Sequence, residues 1–158
     1  MFFRSELLDR FSKTGGELLV KTLDGLADGS IRPRPQDPQK ATFAPMLEKG
    51  RGQINFLQDD AWTIHNQVRG LFPWPGAYGF IQKKRVKILR TRLAANQEVR
   101  GGPGSFQLEG DRLFVSCKSD SLEILELQPE GKKALKPKEF MNGMRGTEPP
   151  FMFDPVGE

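Results

Sequence analysis

The stretch Arg69-Gly70-Leu71-Phe72-Pro73-Trp74-Pro75-Gly76-Ala77 separates a helical sequence pattern from a β pattern. Pro73 and Pro75 each hold φ at about −65° and lack an N–H, so neither fits inside a helix or a central strand. The residues before them are biased toward extended backbone, and Gly76 permits turns that other residues resist. The stretch therefore predicts a stiff connector that carries two large aromatic side chains.

Downstream of this connector the sequence predicts five short strands. Period-two alternation covers residues 77–81, 85–93, 105–108, 112–117 and 122–127. Turn-forming residues separate these segments at 82–84, 101–104, 109–111 and 118–121. Five short strands in close succession favour a small barrel, because closure removes exposed sheet edges. A proline opens a final short helix over residues 137–144, and the tail from residue 146 is expected to fray.

Upstream of the connector two helices are predicted. Residues 59–69 have Asp59 or Asp60 as a cap and an apolar face. Residues 4–26 carry one apolar stripe, formed by Leu7, Leu8, Phe11, Leu18, Leu19, Leu23 and Leu26. Thr14 and Glu17 fit a capping box around two glycines, so two short helices or one broken helix both fit this segment. Residues 31–45 hold four prolines and predict an extended, semi-rigid linker.

These elements predict a mainly β fold with helices. Residues 1–57 form an isolated helical segment and a Pro-rich linker, and residues 58–158 form a five-stranded barrel fronted by a helix. Trp62 and Trp74 are expected in the core, where aromatic side chains bury much area. His65 is expected to be a structural histidine, and Cys117 a buried, inert thiol.

Positive charge is clustered along the chain. The net charge is +4, which is compatible with a polyanionic partner. Residues 81–100 hold seven basic residues against Glu98, and residues 132–145 hold five against Glu139, whereas residues 101–131 hold two basic and six acidic residues. The candidate nucleic-acid-binding residues are Lys83, Lys84, Arg85, Lys87, Arg90, Arg92, Lys132 and Lys133. Such a strand face attracts phosphates, although a merely solvated charged surface explains the same pattern.

Composition argues against several other classes of protein. No apolar run is long enough to span a membrane, and no secretory signal is visible. Cys117 is the single cysteine, which excludes an internal disulfide and fits a reducing cytoplasm. One cysteine and one histidine leave no cluster at zinc-ligand spacing. We therefore expect a cytoplasmic protein with no bound metal and no membrane partner.

Several runs of sequence resemble the methionyl-tRNA formyltransferase family. Residues 64–77 look like the opening of its C-terminal domain, and residues 125–133 followed by 140–143 look like a later part of that domain. Residues 102–104 sit where the family has a glycine-proline-glycine turn. Residues 16–23 resemble the last helix of its N-terminal catalytic domain, and residues 42–56 resemble its interdomain linker.

The resemblance implies a C-terminal barrel similar to the oligonucleotide-binding (OB) fold, which helps to dock initiator tRNA. It places the family's chemistry in a Rossmann-like N-terminal domain, through an Asn, a His and an Asp beside the 10-formyltetrahydrofolate pocket. No run of this chain matches those residues, and His65 matches no catalytic position. We therefore expect no catalytic residue, no cofactor bound by this chain and no activity of the chain alone.

Two functional hypotheses follow. In the first, the chain is the tRNA-docking portion of a methionyl-tRNA formyltransferase, with initiator tRNA as its partner. In the second, it is a non-catalytic interaction module or truncated remnant, which packs against a formyltransferase catalytic domain supplied separately. The apolar stripe of residues 4–26 discriminates them, because in the second hypothesis it is an orphaned interface.

Overall fold

The computed structural model describes residues 3–144 and 151–156. The chain divides into two compact units, Met1–Leu47 and Glu48–Glu158.

The first unit is built on one uninterrupted helix. Helix α1 spans Arg4–Ala27 and continues through Gly15 and Gly16. The expected break at these glycines is therefore wrong. Glu6 caps the helix start, since its carboxylate accepts the N–H of Phe3 at 2.9 Å.

The linker after α1 is extended and exposed, as predicted. Residues 31–45 contain a single 3-10 turn, Pro38–Lys40, and every residue of the segment is exposed. The carboxylate of Asp37 begins this turn by accepting the N–H of Gln39 at 3.0 Å. Prolines prevent the remainder from joining a helix or a sheet ladder.

The second unit is a five-stranded antiparallel sheet with two helices, which confirms the mainly β fold class. Its elements are α2 (Ala61–Leu71), β1 (Ala77–Ile81), β2 (Lys84–Leu93), β3 (Phe106–Glu109), β4 (Arg112–Ser116), β5 (Ser121–Pro129) and α3 (Pro137–Asn142). The strand order is β1-β2-β5-β4-β3. All four strand pairs are antiparallel.

Helix α2 precedes the first strand and packs against the sheet. Asp60 begins it, because its carboxylate accepts the N–H of Thr63 at 2.6 Å, as the sequence predicted. Hydrogen bonding from Thr63 lowers the pKa of the Asp60 carboxyl. The buried face of α2 is formed by Ala61, Ile64, His65, Val68 and Leu71. This spacing of three and four residues packs one side of the helix against β2 and the core.

The second unit begins ten residues earlier than the predicted boundary at residue 58. Ile54 and Phe56, which precede α2, are 2% and 4% exposed and belong to the core of the sheet. Because their side chains are buried among the strands, residues 48–57 fold with the second unit. The sequence analysis placed both residues in the first segment, before the boundary at residue 58.

The segment 151–154 lies between the two edge strands of the sheet. Phe106 on β3 donates its N–H to the carbonyl of Phe151 at 2.9 Å, and Asp154 donates its N–H to the carbonyl of Phe80 on β1 at 2.7 Å. Phe153 is 4% exposed and stacks on Phe56 with ring centroids 4.4 Å apart. The expectation of a frayed tail is thus wrong for residues 151–154, while residues 145–150 lie outside the described residues.

Both tryptophans are half exposed, so the expectation that they lie in the core is wrong. Trp62 is 51% and Trp74 is 50% exposed. Trp62 follows Ala61 on α2 and therefore faces away from the side that α2 buries. In the connector, Pro75 is buried while Trp74 remains at the surface. The peptide bonds Phe72–Pro73 and Trp74–Pro75 are both cis.

Candidate nucleic-acid interface

Four candidate cations lie on the outer face of β2. Val86 and Ile88 point into the core, each 3% exposed, so Arg85 and Lys87 alternate with them toward solvent. The register against β5 then shifts between Ile88 and Arg90 and again before Thr91. This bulge reverses the alternation. As a result Thr91 is buried, and the outward positions become those of Arg90 and Arg92.

The second half of this strand face is paired with carboxylates. Arg90 Nε lies 3.7 Å from a carboxylate oxygen of Glu126, and Arg92 Nη1 lies 3.6 Å from one of Glu123. Glu123 also accepts two hydrogen bonds from Arg112, each at 2.9 Å. Hydrogen bonding by Arg112, together with its charge and that of Arg92, lowers the pKa of Glu123. The positive charges of Arg90 and Arg92 are therefore partly neutralised by carboxylates of β5.

The first half of the strand face meets the end of β5 at a cleft of about 230 Å³. The cleft is lined by Arg85, Lys87, Gln128, Pro129, Glu130 and Gly131. Glu130 donates its N–H to the carbonyl of Arg85 at 3.0 Å, and Lys132 donates its N–H to that of Pro129 at 3.1 Å. Gly131 takes φ +71° here, which glycine adopts without strain. This tight turn holds Lys132 and Lys133 beside the cleft, where both are exposed.

Lys83 and Lys84 lie at the exposed turn between β1 and β2. Gln82 and Lys83 have φ of +51° and +62°, as the two central residues of a tight hairpin turn require. The carboxylate of Asp154 accepts the N–H of Gln82 at 3.1 Å and that of Lys83 at 2.7 Å. The segment 151–154 thereby holds the turn, and the ammonium groups of both lysines remain in solvent.

Six of the eight predicted cations have no carboxylate partner among residues 3–144 and 151–156. Within this range no acidic oxygen lies within 4 Å of the charged groups of Lys83, Lys84, Arg85, Lys87, Lys132 and Lys133. We call these six residues the β2 basic surface. Sequence reasoning missed the pairing of Arg90 and Arg92, because it depends on the register of β2 against β5.

The aromatic residue next to this surface is unavailable for base stacking. The guanidinium carbon of Arg85 lies 3.7 Å from the centroid of the Tyr78 ring. The ring is only 9% exposed and has Phe80 against it in an edge-to-face arrangement at 5.7 Å. Base stacking needs an open aromatic face. The face of Tyr78 is therefore closed to bases, and the exposed cations suit contacts to phosphate.

His65 and Cys117 are buried, as the sequence indicated, and Arg69 lies beside His65 on α2. His65 Nδ1 lies 2.8 Å from the hydroxyl of the buried Thr91, and burial together with the charge of Arg69 lowers the pKa of His65. Arg69 donates a hydrogen bond to Asn66 on the same helix. Burial, reinforced by nearby aspartates, raises the pKa of Cys117 to about 12.

Over residues 3–144 and 151–156, no three His, Cys, Asp or Glu side chains are grouped so that they could ligate a metal ion. No helix in the same residues combines the length and the apolar character that crossing a bilayer demands.

The fold is similar to part of a larger solved protein. HypX from Aquifex aeolicus, solved in complex with tetrahydrofolic acid, superposes with a TM-score of 0.60 over 89% of this chain and 24% of its own, at 19% sequence identity. A HypX variant from the same organism gives a TM-score of 0.62. At this identity the likeness defines the fold alone, a mainly β domain with helices.

The sequence defines the family. The model of the formyl transferase C-terminal domain matches residues 46–145, so the chain belongs to the formyl transferase family and contains its C-terminal domain. A methionyl-tRNA formyltransferase of Citrifermentans bemidjiense is 44% identical over 88% of this chain and 43% of its own length. One of Thermodesulfovibrio yellowstonii is 39% identical over 90% and 44%. The chain thus spans less than half the length of the curated relatives it matches.

Proposed function

We propose that this chain is the tRNA-docking portion of a methionyl-tRNA formyltransferase. The parent reaction is formyl transfer from 10-formyltetrahydrofolate to the amino group of methionyl initiator tRNA, in the cytoplasm. The proposal rests on the β2 basic surface: among the described residues its six cations have no carboxylate oxygen within 4 Å, and two of them, Arg85 and Lys87, line the cleft at the end of β5. The names of the relatives, each a methionyl-tRNA formyltransferase, support initiator tRNA as the polyanion.

Docking through phosphates has a measurable signature. Each neutralised phosphate releases counterions and adds about 0.7 to 0.9 to the slope of log K against log salt. Six contacts would therefore give a slope of roughly −4 to −5. Arg90 and Arg92 would add little, because their guanidinium groups already face Glu126 and Glu123.

The test is fluorescence anisotropy of labelled initiator tRNA with the whole chain across a salt series. Lys87→Gln combined with Lys132→Gln removes two charges from the β2 basic surface, and the slope should fall by about 1.4 to 1.8. Arg90→Gln combined with Arg92→Gln removes the same charge from the carboxylate-paired half and serves as the matched control. Circular dichroism verifies that both variants fold. Equal losses in the two variants would contradict the assignment, and absence of saturable binding by the wild-type chain would refute the function.

The chain alone is proposed to be inactive, because no residue run in it matches the family's catalytic Asn, His and Asp. Mixing it with 10-formyltetrahydrofolate and charged initiator tRNA should give no formylated product. Product formation by the purified chain would overturn this part of the proposal.

A second candidate function is supported by the surface of α1. Its apolar stripe is exposed in the first unit, with Phe11 at 66%, Leu18 at 61% and Leu19 at 58%. Contiguous apolar surface of this kind marks interaction sites. In this reading the chain is an interaction module that packs against a separately supplied formyltransferase catalytic domain.

Size-exclusion chromatography distinguishes this second candidate. The chain alone should self-associate, and an added formyltransferase catalytic domain should convert it to a defined complex. Leu18→Gln with Leu19→Gln should abolish that complex, while Lys13→Gln with Lys21→Gln on the same helix should not. If the chain is monomeric and forms no complex with the catalytic domain, the second candidate function is refuted.

A further inference from the structure

A rigid turn before α2 carries an exposed arginine close to the β2 basic surface. The 3-10 turn Lys49–Gly52 belongs to the second unit. The side-chain amide of Gln67 on α2 donates to the carbonyls of Arg51 and Gln53, at 2.8 and 3.1 Å. The side-chain amide of Gln67 therefore fixes the two residues that flank Gly52, the last residue of the turn.

The same turn is anchored to β1. Gln53 forms a parallel bridge with Tyr78, and Ile54 donates its N–H to the carbonyl of Tyr78 at 2.8 Å. Gly52 is buried, and its Cα faces the carbonyl oxygen of Gly76 so closely that a Cβ would overlap it. The backbone of Arg51 is thus held from three directions before any ligand arrives.

The ring of Tyr78 connects this turn to the β2 basic surface. A Cβ on Gly52 would lie 3.0 Å from Cε1 of Tyr78, and the guanidinium carbon of Arg85 lies 3.7 Å from the centroid of that ring. Gly52 and Arg85 therefore contact one aromatic ring, and Arg51 is the residue next to Gly52. Arg51 itself is exposed, and among the described residues no carboxylate oxygen lies within 4 Å of its guanidinium.

We propose that Arg51 is a further phosphate contact of the docking surface, which extends from β2 across β1 to the 49–52 turn. The inference rests on the proposed function, since it names an additional residue for the same polyanion. A planar guanidinium matches phosphate geometry and donates two parallel hydrogen bonds. Because the backbone of Arg51 is already ordered, less conformational entropy is lost when its side chain binds.

The sequence contained little signal for this residue. Arg51 lies thirty-two positions before Lys83 and outside both basic clusters, with Glu48 close to it in the chain. Only the bridge between Gln53 and Tyr78 places it beside strands β1 and β2.

The test compares Arg51→Gln with Arg100→Gln in the anisotropy assay with labelled initiator tRNA. Arg100 is also exposed in the second unit, but it lies in the connection between β2 and β3, where its N–H is tied to Gln107 at 3.1 Å. Arg51→Gln should weaken binding by about 3- to 10-fold at low salt and reduce the salt slope by about 0.7 to 0.9. Arg100→Gln should change the affinity by less than about twofold, because a charge outside the contact surface neutralises no phosphate.

The outcomes separate this inference from the proposed function. If the wild-type chain binds no tRNA, both the proposed function and the role of Arg51 are refuted. If Lys87→Gln with Lys132→Gln weakens binding while Arg51→Gln matches Arg100→Gln, the function stands and the role of Arg51 is refuted. Arg51→Lys keeps the charge, so it should recover part of the affinity if the contact is to phosphate.

Discussion

Gly52 has no room for a side chain, and Gly52→Ala tests whether the 49–52 turn is held as the structure shows. An added Cβ would overlap the carbonyl oxygen of Gly76 and would lie 3.0 and 3.1 Å from two carbons of the Tyr78 ring. The first of these is a backbone atom of the connector, so relief requires the turn or the connector to move. Overpacking of this kind costs about 1–3 kcal/mol.

Gly50 supplies the matched control, since it lies in the same turn and a Cβ there meets no atom within 4 Å. Gly50→Ala should change the free energy of unfolding by less than about 0.5 kcal/mol. Urea unfolding followed by circular dichroism and tryptophan fluorescence measures both variants. The sequence has two tryptophans, Trp62 and Trp74, so the fluorescence reports on the second unit.

With an m-value of about 1.5 kcal/mol/M, a loss of 2 kcal/mol shifts the urea midpoint by about 1.3 M. Gly52→Ala should therefore unfold at clearly lower urea than Gly50→Ala. Equal midpoints for the two variants would mean that the turn does not press against Gly76 and Tyr78, and would remove the argument that Arg51 is pre-ordered.

Three other predictions concern the second unit. Phe153→Ala should destabilise it by about 3–4 kcal/mol in urea unfolding, because the ring is buried against Phe56; a change below about 1 kcal/mol would show that segment 151–154 is not part of the core. Arg112 depresses the pKa of Glu123, so the stabilisation from this carboxylate is present above its usual value of 4.5 and is lost as pH falls through the lower folded-state value. Glu123→Gln should thus lower stability at pH 7 and flatten its acid dependence, and an unchanged pH profile of unfolding would contradict the pairing. Cys117 has a pKa of about 12 and is buried, so a thiol reagent at pH 8 should label it only after urea unfolding; rapid labelling of the folded chain would disprove its burial.

Much of the fold could be predicted because its signals are local. The signals for a strand over residues 77–81 and for a helix cap at Asp60 are each contained within a few neighbouring positions, and the structure has both elements. The role of segment 151–154 could not be predicted in this way. Its backbone partners, Phe80 and Phe106, are more than forty residues distant in the chain, and nothing in a short Pro-containing tail indicates that it will meet both sheet edges.

The tryptophans show where a residue-type rule fails. Large aromatic side chains are usually buried, and on that basis Trp62 and Trp74 were expected in the core. Helix α2, however, presents Ala61, Ile64 and His65 to the sheet. Its orientation is set by the whole buried face, so the position of Trp62 follows from its neighbours and not from its own hydrophobicity.

By itself the sequence determined the types of element, the connector that separates helix from strands, and the clustering of positive charge on the segment that became β2. These properties depend on backbone preference and on side-chain periodicity, which act over a few residues. The tertiary structure alone decided which cations lack a carboxylate partner among the described residues and can bind phosphate. The register of β2 against β5, including the bulge before Arg90, places Arg90 and Arg92 opposite Glu126 and Glu123. The bridge between Gln53 and Tyr78 likewise brings Arg51 close to the ring that Arg85 covers, because backbone pairing joins residues that lie far apart in the chain.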